Sequence, residues 1–406
     1  MAEAPEFNHP DPLDPSNSNL YPTGDHWSVF ETLRREDPVH HTPESPFGPY
    51  WSITRFEDIK HVDTNHQIFS SEPAIVIGDL PPEQTLAQFI AMDPPRHDQQ
   101  RKDVAGAVAP KNLAKLEPLI RSRVQGLMDS LPVGETFDWV DTVSIELTTQ
   151  MLATLFDFPF EDRRLLTRWS DAATSSPALV GASNMTDEER MGELMDCLEC
   201  FNQLWKEREG GDGMDFVSMM TRSLAFKGMD PMEYLGNLIL LIVGGNDTTR
   251  NSISGGLYAL NQFPDQFDKL RKDHSLIPNM VAEIIRWQTP LSHMRRIATE
   301  DSIIGGKTIK AGDKVVMWYI SGNRDESVFE EGEKLIIDRR NARQHVSFGY
   351  GIHRCMGNRL GEMQLRIVWE EILKRFKDIR VMEEPERVHS NFVHGYTYMP
   401  VQVEPL

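Results

Sequence analysis

Residues 348–357 read FGYGIHRCMG, one cysteine set among glycines with a histidine two positions before it. The chain has 406 residues and only three cysteines, so Cys355 does not belong to a disulfide framework. Four chemistries remain for it. A buried, inert thiol is the plain reading. Against it, Gly349, Gly351 and Gly357 make the segment costly to order unless backbone must approach something closely. A structural zinc site takes about four ligands. Here only His353 and Cys355 stand close together, and the other pair, Cys197 and Cys200, falls in mid-helix with no second pair. A nucleophile needs a base held about 3 Å away in space, which the stretch leaves open. A thiolate ligand to haem iron needs one cysteine, a glycine-rich loop against the porphyrin and cations for the propionates. His353 and Arg354 fit that last need. Leu365, Val368, Trp369, Ile372 and Phe376 then form one apolar stripe, so a helix follows at once and its N-terminal dipole favours a thiolate at Cys355.

Away from this loop the chain reads as globular and mainly helical. It is 39% hydrophobic and 26% charged, enough apolar material for a large core. The net charge of −20 argues against nucleic acid and anionic membrane as partners, since both call for excess Lys and Arg. The longest apolar run, Leu238 to Val243, is far short of the roughly 20 residues of a spanning helix, so no transmembrane anchor is expected. The N-terminus lacks a basic segment followed by an apolar run, so no signal peptide is read there. These features imply a soluble, cytoplasmic protein: a disordered polar tail over residues 1–20 and one large domain over 21–406. Apolar residues recur at helical spacing in the segments starting at Asp25, Pro110, Thr186 and Asp230. The last of these runs on through NSISGGLYALNQF. Strand signals are fewer: GPYWSITRF as a hairpin arm, and a small sheet over 296–320 with Gly305-Gly306 as its tight turn.

The 348–357 stretch resembles the haem-binding loop of cytochromes P450, Phe-x-x-Gly-x-x-x-Cys-x-Gly, met here by Phe348, Gly351, Cys355 and Gly357. Three further motifs resemble the family's and stand in its order. In LIVGGNDTTRNS, Gly244, Gly245, Asp247 and Thr248 match its Ala/Gly-Gly-x-Asp/Glu-Thr pattern. Glu283-Ile-Ile-Arg286 matches its Glu-x-x-Arg, with Arg340 as the expected third member. MDPPRHDQQR carries His97 and Arg101 at the family's spacing, and MRRIATED supplies Arg296 in preference to Arg295. The resemblance implies a single-domain cytochrome P450 fold, mainly α with a minor β part, a helical bundle around haem b with small antiparallel sheets. It implies Cys355 as the iron ligand, with His97, Arg101, Arg296 and His353 at the propionates. Gly244 opens the oxygen-binding helix beside the haem. Thr248 holds a water or the activated oxygen, and Asp247 feeds protons inward. Glu283, Arg286 and Arg340 hold the cysteine loop.

The implied activity is monooxygenation: O2 and two electrons insert one oxygen atom into an unactivated C–H bond. The chain carries no nucleotide fingerprint and no flavin domain, so electrons come from outside. The resemblance implies a ferredoxin and a ferredoxin reductase, docking near Arg96, Lys102, Arg354 and Arg359. Carried over by position, Leu240, Val243, Gly244, Leu291, Met294 and Tyr396 wall the substrate site, with Ile75, Val76, Ile77 and Leu86 as weaker candidates. Most are apolar, which suits an apolar substrate. Two stretches, LIVGGNDTTRNSISGGL and the cysteine loop with its helix, resemble the bacterial branch that hydroxylates medium-chain alkanes and fatty acids at the terminal carbon. The alternative is another apolar substrate, such as a terpene.

Overall fold

A computed structural model of the chain describes residues 9–176, 179 and 185–406. Four helices position the site: α1 (Arg96–Val104), α2 (Pro231–Gln262), α3 (Ile277–Gln288) and α4 (Asn358–Ile372). The helix α2 starts sharply. Asp230 caps it, its side chain accepting from the N–H groups of Met232 and Glu233, and Pro231 fills the first turn. It runs unbroken for 32 residues, through both glycines at 244 and 245. Most of its residues are buried, polar ones included, because it crosses the interior instead of covering it. By contrast α4 is one-sided. Leu365, Val368, Trp369 and Ile372 face inward, while Phe376 begins the strand Phe376–Val381 and is still buried.

The β part is small and divided among several sheets. Its largest sheet contains β1 (Val39–Thr42), β2 (Tyr50–Ile53), β3 (Phe69–Ser70), β4 (Met294–Ala298) and β5 (Lys314–Met317), in the order β1-β2-β5-β4-β3. The hairpin arm read in GPYWSITRF is β2, antiparallel to β1 with Val39 opposite Ile53. The tight turn at Gly305-Gly306 joins Ser302–Ile304 to Lys307–Ile309; its φ angles of 54° and 79° are what a two-residue hairpin turn demands. Val39, Ile53, Phe69, Val315 and Met317 give the sheet its own core beside the main helical one.

The expected disordered tail is a correction. Residues 1–8 lie outside the described residues, but 9–20 are packed. Asp14, Ser16 and Ser18 are buried. Asp14 accepts from Tyr50 Oη at 2.5 Å, and the Ser16 carbonyl accepts from Asn391 Nδ2 at 2.8 Å. Polar composition misled here because hydrogen bonds to residues distant in sequence hold the segment, with Leu13 and Leu20 packed on the core around Tyr21 and Phe30.

Candidate active site

The cavity that matters lies between α2 and the 348–357 loop, with a volume of about 320 Å³. Cys355, Gly357, Phe348 and His353 line one side; Leu240, Val243, Gly244 and Thr248 line the opposite one. Cys355 counts as exposed only because its thiol opens on this internal space; the protein otherwise encloses it. Its N–H donates to the Phe348 carbonyl at 2.7 Å, which folds the loop back on itself. Burial pushes the thiol up, while N–H groups of Gly357 and Asn358 and the guanidiniums of Arg101 and Arg354 favour the thiolate.

Beside it, His353 and His97 approach with ring centroids 4.3 Å apart. Both ring nitrogens of His353 and the Nε2 of His97 are buried without a partner. Burial, then Arg296, His97 and Arg101, drive His353 down to about 2. Three unpartnered imidazole nitrogens therefore lie within the field of two arginines, Arg101 and Arg296. Orphaned buried polar groups of this kind are costly, and two carboxylates placed there would satisfy them with charge-assisted bonds. The lacing of α1 to α2 sets this geometry. Glu233 accepts from Arg96 Nη2 at 2.9 Å and Gln100 Nε2 at 2.7 Å, and Asn237 Nδ2 donates to Gln100 Oε1 at 3.0 Å.

The glycines divide into two kinds. Gly357 and Gly244 face open cavity: a Cβ on either would meet nothing within 4 Å. Gly349 and Gly351 are left-handed, at φ 63° and 65°, and face the protein instead. A Cβ on Gly351 would stand 2.5 Å from the Asp63 carbonyl oxygen. Asp63 is the residue sequence reasoning missed. Buried, it accepts from Arg296 Nη2 at 2.8 Å, from the Tyr350 N–H at 2.6 Å and from Tyr319 Oη at 3.0 Å. One carboxylate thus fixes both the loop and the arginine. Arg295, on the opposite face of β4, points away from the cavity, so Arg296 is the arginine that lines it.

Glu283 and Arg286 form a bidentate pair at 2.7 and 2.8 Å, wholly buried. The third member is Arg339, whose Nε donates to Glu283 Oε1 at 3.0 Å. Arg340 is exposed, which corrects the expectation. The two arginines are adjacent, and motif position could not choose between them. The trio reaches the cysteine loop through Asn323. Arg286 Nη1 donates to the Asn323 carbonyl at 2.6 Å, and Asn323 Nδ2 donates to Ser347 Oγ at 2.7 Å.

On α2, the Thr248 hydroxyl lines the cavity and donates to the Gly244 carbonyl at 2.8 Å. Asp247 points the other way. It is wholly buried, its Oδ1 lies 2.9 Å from Arg250 Nη2, and its Oδ2 has no partner. Arg250 also pairs with the half-exposed Asp171 at 3.0 Å. Burial raises the Asp247 carboxyl to about 6, with Arg250 pulling it down and Asp171 pushing it up. Gly245 packs on Leu152, whose Cδ2 a Cβ would meet at 2.7 Å.

Of the substrate candidates, Leu240, Val243, Gly244, Leu291 and Met294 line the cavity, as do Ile75 and Val76. Tyr396 does not. It is buried beside Tyr258 and Arg387, its hydroxyl 3.3 Å from Gln288 Oε1. Ile77 packs near Trp318, and Leu86 against the main core. Phe392, Phe216 and Leu179 complete the apolar wall and carry no motif that would have marked them. Among the described residues no group of three His, Cys, Asp or Glu could hold a metal ion. Cys197 and Cys200 are free thiols within the helix Asp187–Arg208.

The Cytochrome P450 family model matches residues 187–393. The chain is also 36% identical over 405 residues to linalool 8-monooxygenase of Pseudomonas putida, covering 97% of this chain and 99% of that one. The chain belongs to the cytochrome P450 family. This P450 is 33% identical over 390 residues to the methyl-branched lipid omega-hydroxylase of Mycobacterium tuberculosis, covering 92% of this chain and 90% of that one. Among solved structures, cytochrome P450-153 from Novosphingobium aromaticivorans superposes with a TM-score of 0.91 at 48% identity, covering 97% of this P450 and all of that chain. P450s carry haem b, and the residues present fit it: one thiol on the cavity, open space beside Gly357 and Gly244, and unanswered donors where two propionates would lie. The protein is a P450 monooxygenase with a mainly helical, single-domain fold. Among the described residues no helix is long and apolar enough to cross a membrane.

Proposed function

We propose that this P450 hydroxylates the terminal methyl group of medium-chain alkanes or fatty acids, working in the cytoplasm with electrons from a ferredoxin and its reductase. The carrying observation is the wall opposite Cys355. Leu240, Val243, Leu291, Met294 and Phe392 leave the haem side facing an almost wholly apolar channel. Such a channel orients a chain by shape, end-on, because it offers few hydrogen bonds. The identity with the omega-hydroxylase and with P450-153 supports this reading.

The roles follow from placement. Cys355 would hold the iron, and His97, Arg101, Arg296 and His353 the propionates. The bound haem supplies insertion of one atom of O2 into a C–H bond, the thiolate assisting O–O cleavage. The chain's own residues supply the rest. Gly244 leaves room beside the helix, and the Thr248 hydroxyl can swing from the Gly244 carbonyl to donate into the cavity. Asp247, its carboxyl raised by burial, would take protons arriving from solvent past the half-exposed Asp171 and turn from Arg250 to pass them toward Thr248. Glu283, Arg286 and Arg339 keep the cysteine loop in place. Lys102, Arg354 and Arg359 are exposed and Arg96 pairs with Glu233, which leaves a basic patch for an acidic ferredoxin.

A second reading, terpene hydroxylation, is favoured by the 36% identity to a linalool monooxygenase. Titrating the oxidised haem spectrum with octane, dodecanoate and linalool separates the two, followed by product analysis. A spin-state shift with linalool alone would sink the terminal-hydroxylase reading.

A further inference from the structure

Within α2, Gly236 and Asn237 stand side by side, and both are weaker helix formers than most of their neighbours. Both are buried, and neither lines the cavity, whose α2 residues begin at Ile239. What they face is the segment from Leu86 to Phe89. A Cβ at Gly236 would run into the Ala87 carbonyl oxygen, so only glycine lets that backbone lie on the helix. One residue on, Asn237 Oδ1 accepts from the Phe89 N–H at 2.9 Å. Phe89 opens the short turn Phe89–Ala91, and Gln88 before it supplies no side-chain cap. Asn237 therefore caps that turn from 148 positions away.

The orientation of the Asn237 amide is settled twice. Its Nδ2 donates to the Glu233 carbonyl one turn back at 3.1 Å and to Gln100 Oε1 at 3.0 Å. Gln100 presents that oxygen because its own Nε2 donates to the Glu233 carboxylate at 2.7 Å, and an ionised carboxylate only accepts. Asn237 Oδ1 is thus left for Phe89. Turning either amide over would set donor against donor or acceptor against acceptor. Among the described residues, the Asn237–Phe89 bond is the one hydrogen bond that ties residues 86–92 to another element. The other bonds of that stretch are its own, from the Ala91 N–H to the Gln88 carbonyl and from the Met92 N–H to the Phe89 carbonyl. Yet Gln88, Phe89 and Ile90 all line the cavity. One glycine and one amide, neither of them in the lining, place a whole stretch of wall.

Resting on the terminal-hydroxylase reading of this cavity, we infer that Gly236 and Asn237 are positioning residues that determine specificity: they fix the Gln88–Ile90 wall, and so set how sharply the channel separates a slim unbranched chain from a bulkier branched one. A tethered wall keeps one width. A released segment would yield to whatever enters and lose that discrimination.

The test titrates the oxidised haem spectrum of the full-length, haem-loaded protein with octane and with linalool. The parent should bind octane the more tightly. Asn237→Leu removes the acceptor and leaves the Phe89 N–H without a partner. In it the gap between the two affinities should shrink about tenfold, with the reduced-plus-CO spectrum unchanged. Gly236→Ala keeps the amide but pushes the Ala87 backbone off the helix, and should shrink the gap about threefold or more. Hydrogen exchange read by mass spectrometry gives a measure that needs no ligand. The peptide over residues 86–92 should exchange about tenfold faster in Asn237→Leu, while the cysteine loop exchanges as before. An affinity gap unmoved in both variants, or unchanged exchange over 86–92, would overturn the inference. If the parent prefers linalool and the gap still closes in Asn237→Leu, the terminal-hydroxylase reading falls and the positioning role stands. If neither ligand binds the parent, both fall.

Discussion

The two faces of the cavity are built on opposite principles. On the cysteine side the carboxylates that brace the loop are over-determined: Asp63 accepts three bonds, and Glu283 is shared by two arginines, while the nitrogens of His353, on the cavity, and Nε2 of His97 beside it stay orphaned. On the α2 side the surface is apolar, and its one buried carboxylate, Asp247, keeps an oxygen without a partner. A ligand-holding loop gains from rigidity, since a misplaced sulfur loses the metal. A proton-delivering group gains from incomplete pairing, since a fully satisfied carboxylate has no reason to change its protonation state.

Breaking the rigid face should cost most. Cys355→Ser should abolish the red-shifted absorption that a thiolate ligand gives reduced haem with CO, read directly by difference spectroscopy. Next comes the support behind the loop. Glu283→Ala leaves two buried guanidiniums without their carboxylate and should cost about 3–5 kcal/mol in urea unfolding. Arg339→Ala should approach that loss, whereas Arg340→Ala should change stability by less than about 0.5 kcal/mol.

The adaptable face should respond in chemistry more than in stability. Asp247→Asn should slow product formation about a hundredfold, and Thr248→Ala should let reductant consumption continue while product falls; both are read by comparing NADH use with product. Asp247 also sets a pH dependence. Its carboxyl lies at about 6 when folded against 3.8 for the free group. The folded state thus binds more protons between these values, and its stability falls as pH rises from about 4 to about 6. Asp247→Asn should flatten that slope in unfolding measurements. The smallest effect separates two neighbours. Gly245→Ala pushes on Leu152 and should lower stability by about 1–3 kcal/mol. Gly244→Ala has open space and should leave the unfolding midpoint near its original value or above it. Its methyl group would instead narrow the cavity and weaken long-chain binding in a spectral titration.

What could be read from sequence followed the range of the interactions. Cys355, His353, Asp247, Thr248, Glu283 and Arg286 sit in local patterns whose spacing is itself the signal. Asp63 bonds to Arg296 across 233 positions, and nothing in KHVDTNH, residues 60–66, marks it. The glycines show the same limit. FGYGIHRCMG displays three alike, yet two are required by Asp63 and its helix and only Gly357 by the cavity. Position along the chain suggests Tyr396 for the channel; in the fold its hydroxyl lies 3.3 Å from Gln288 Oε1 and the residue is not in the lining. Arg339 and Arg340 differ by one residue, and helical or strand periodicity says nothing across such a short irregular segment.

The packed N-terminal residues bear on how the enzyme is handled. Ser16 and Ser18 meet Asn391 and His389, and the segment they steady carries Phe392 into the cavity wall. Trimming those polar residues to aid crystallisation, or splicing an electron-donor domain directly onto residue 20, would remove a brace of the substrate wall. A fusion joined at the far terminus leaves that brace intact.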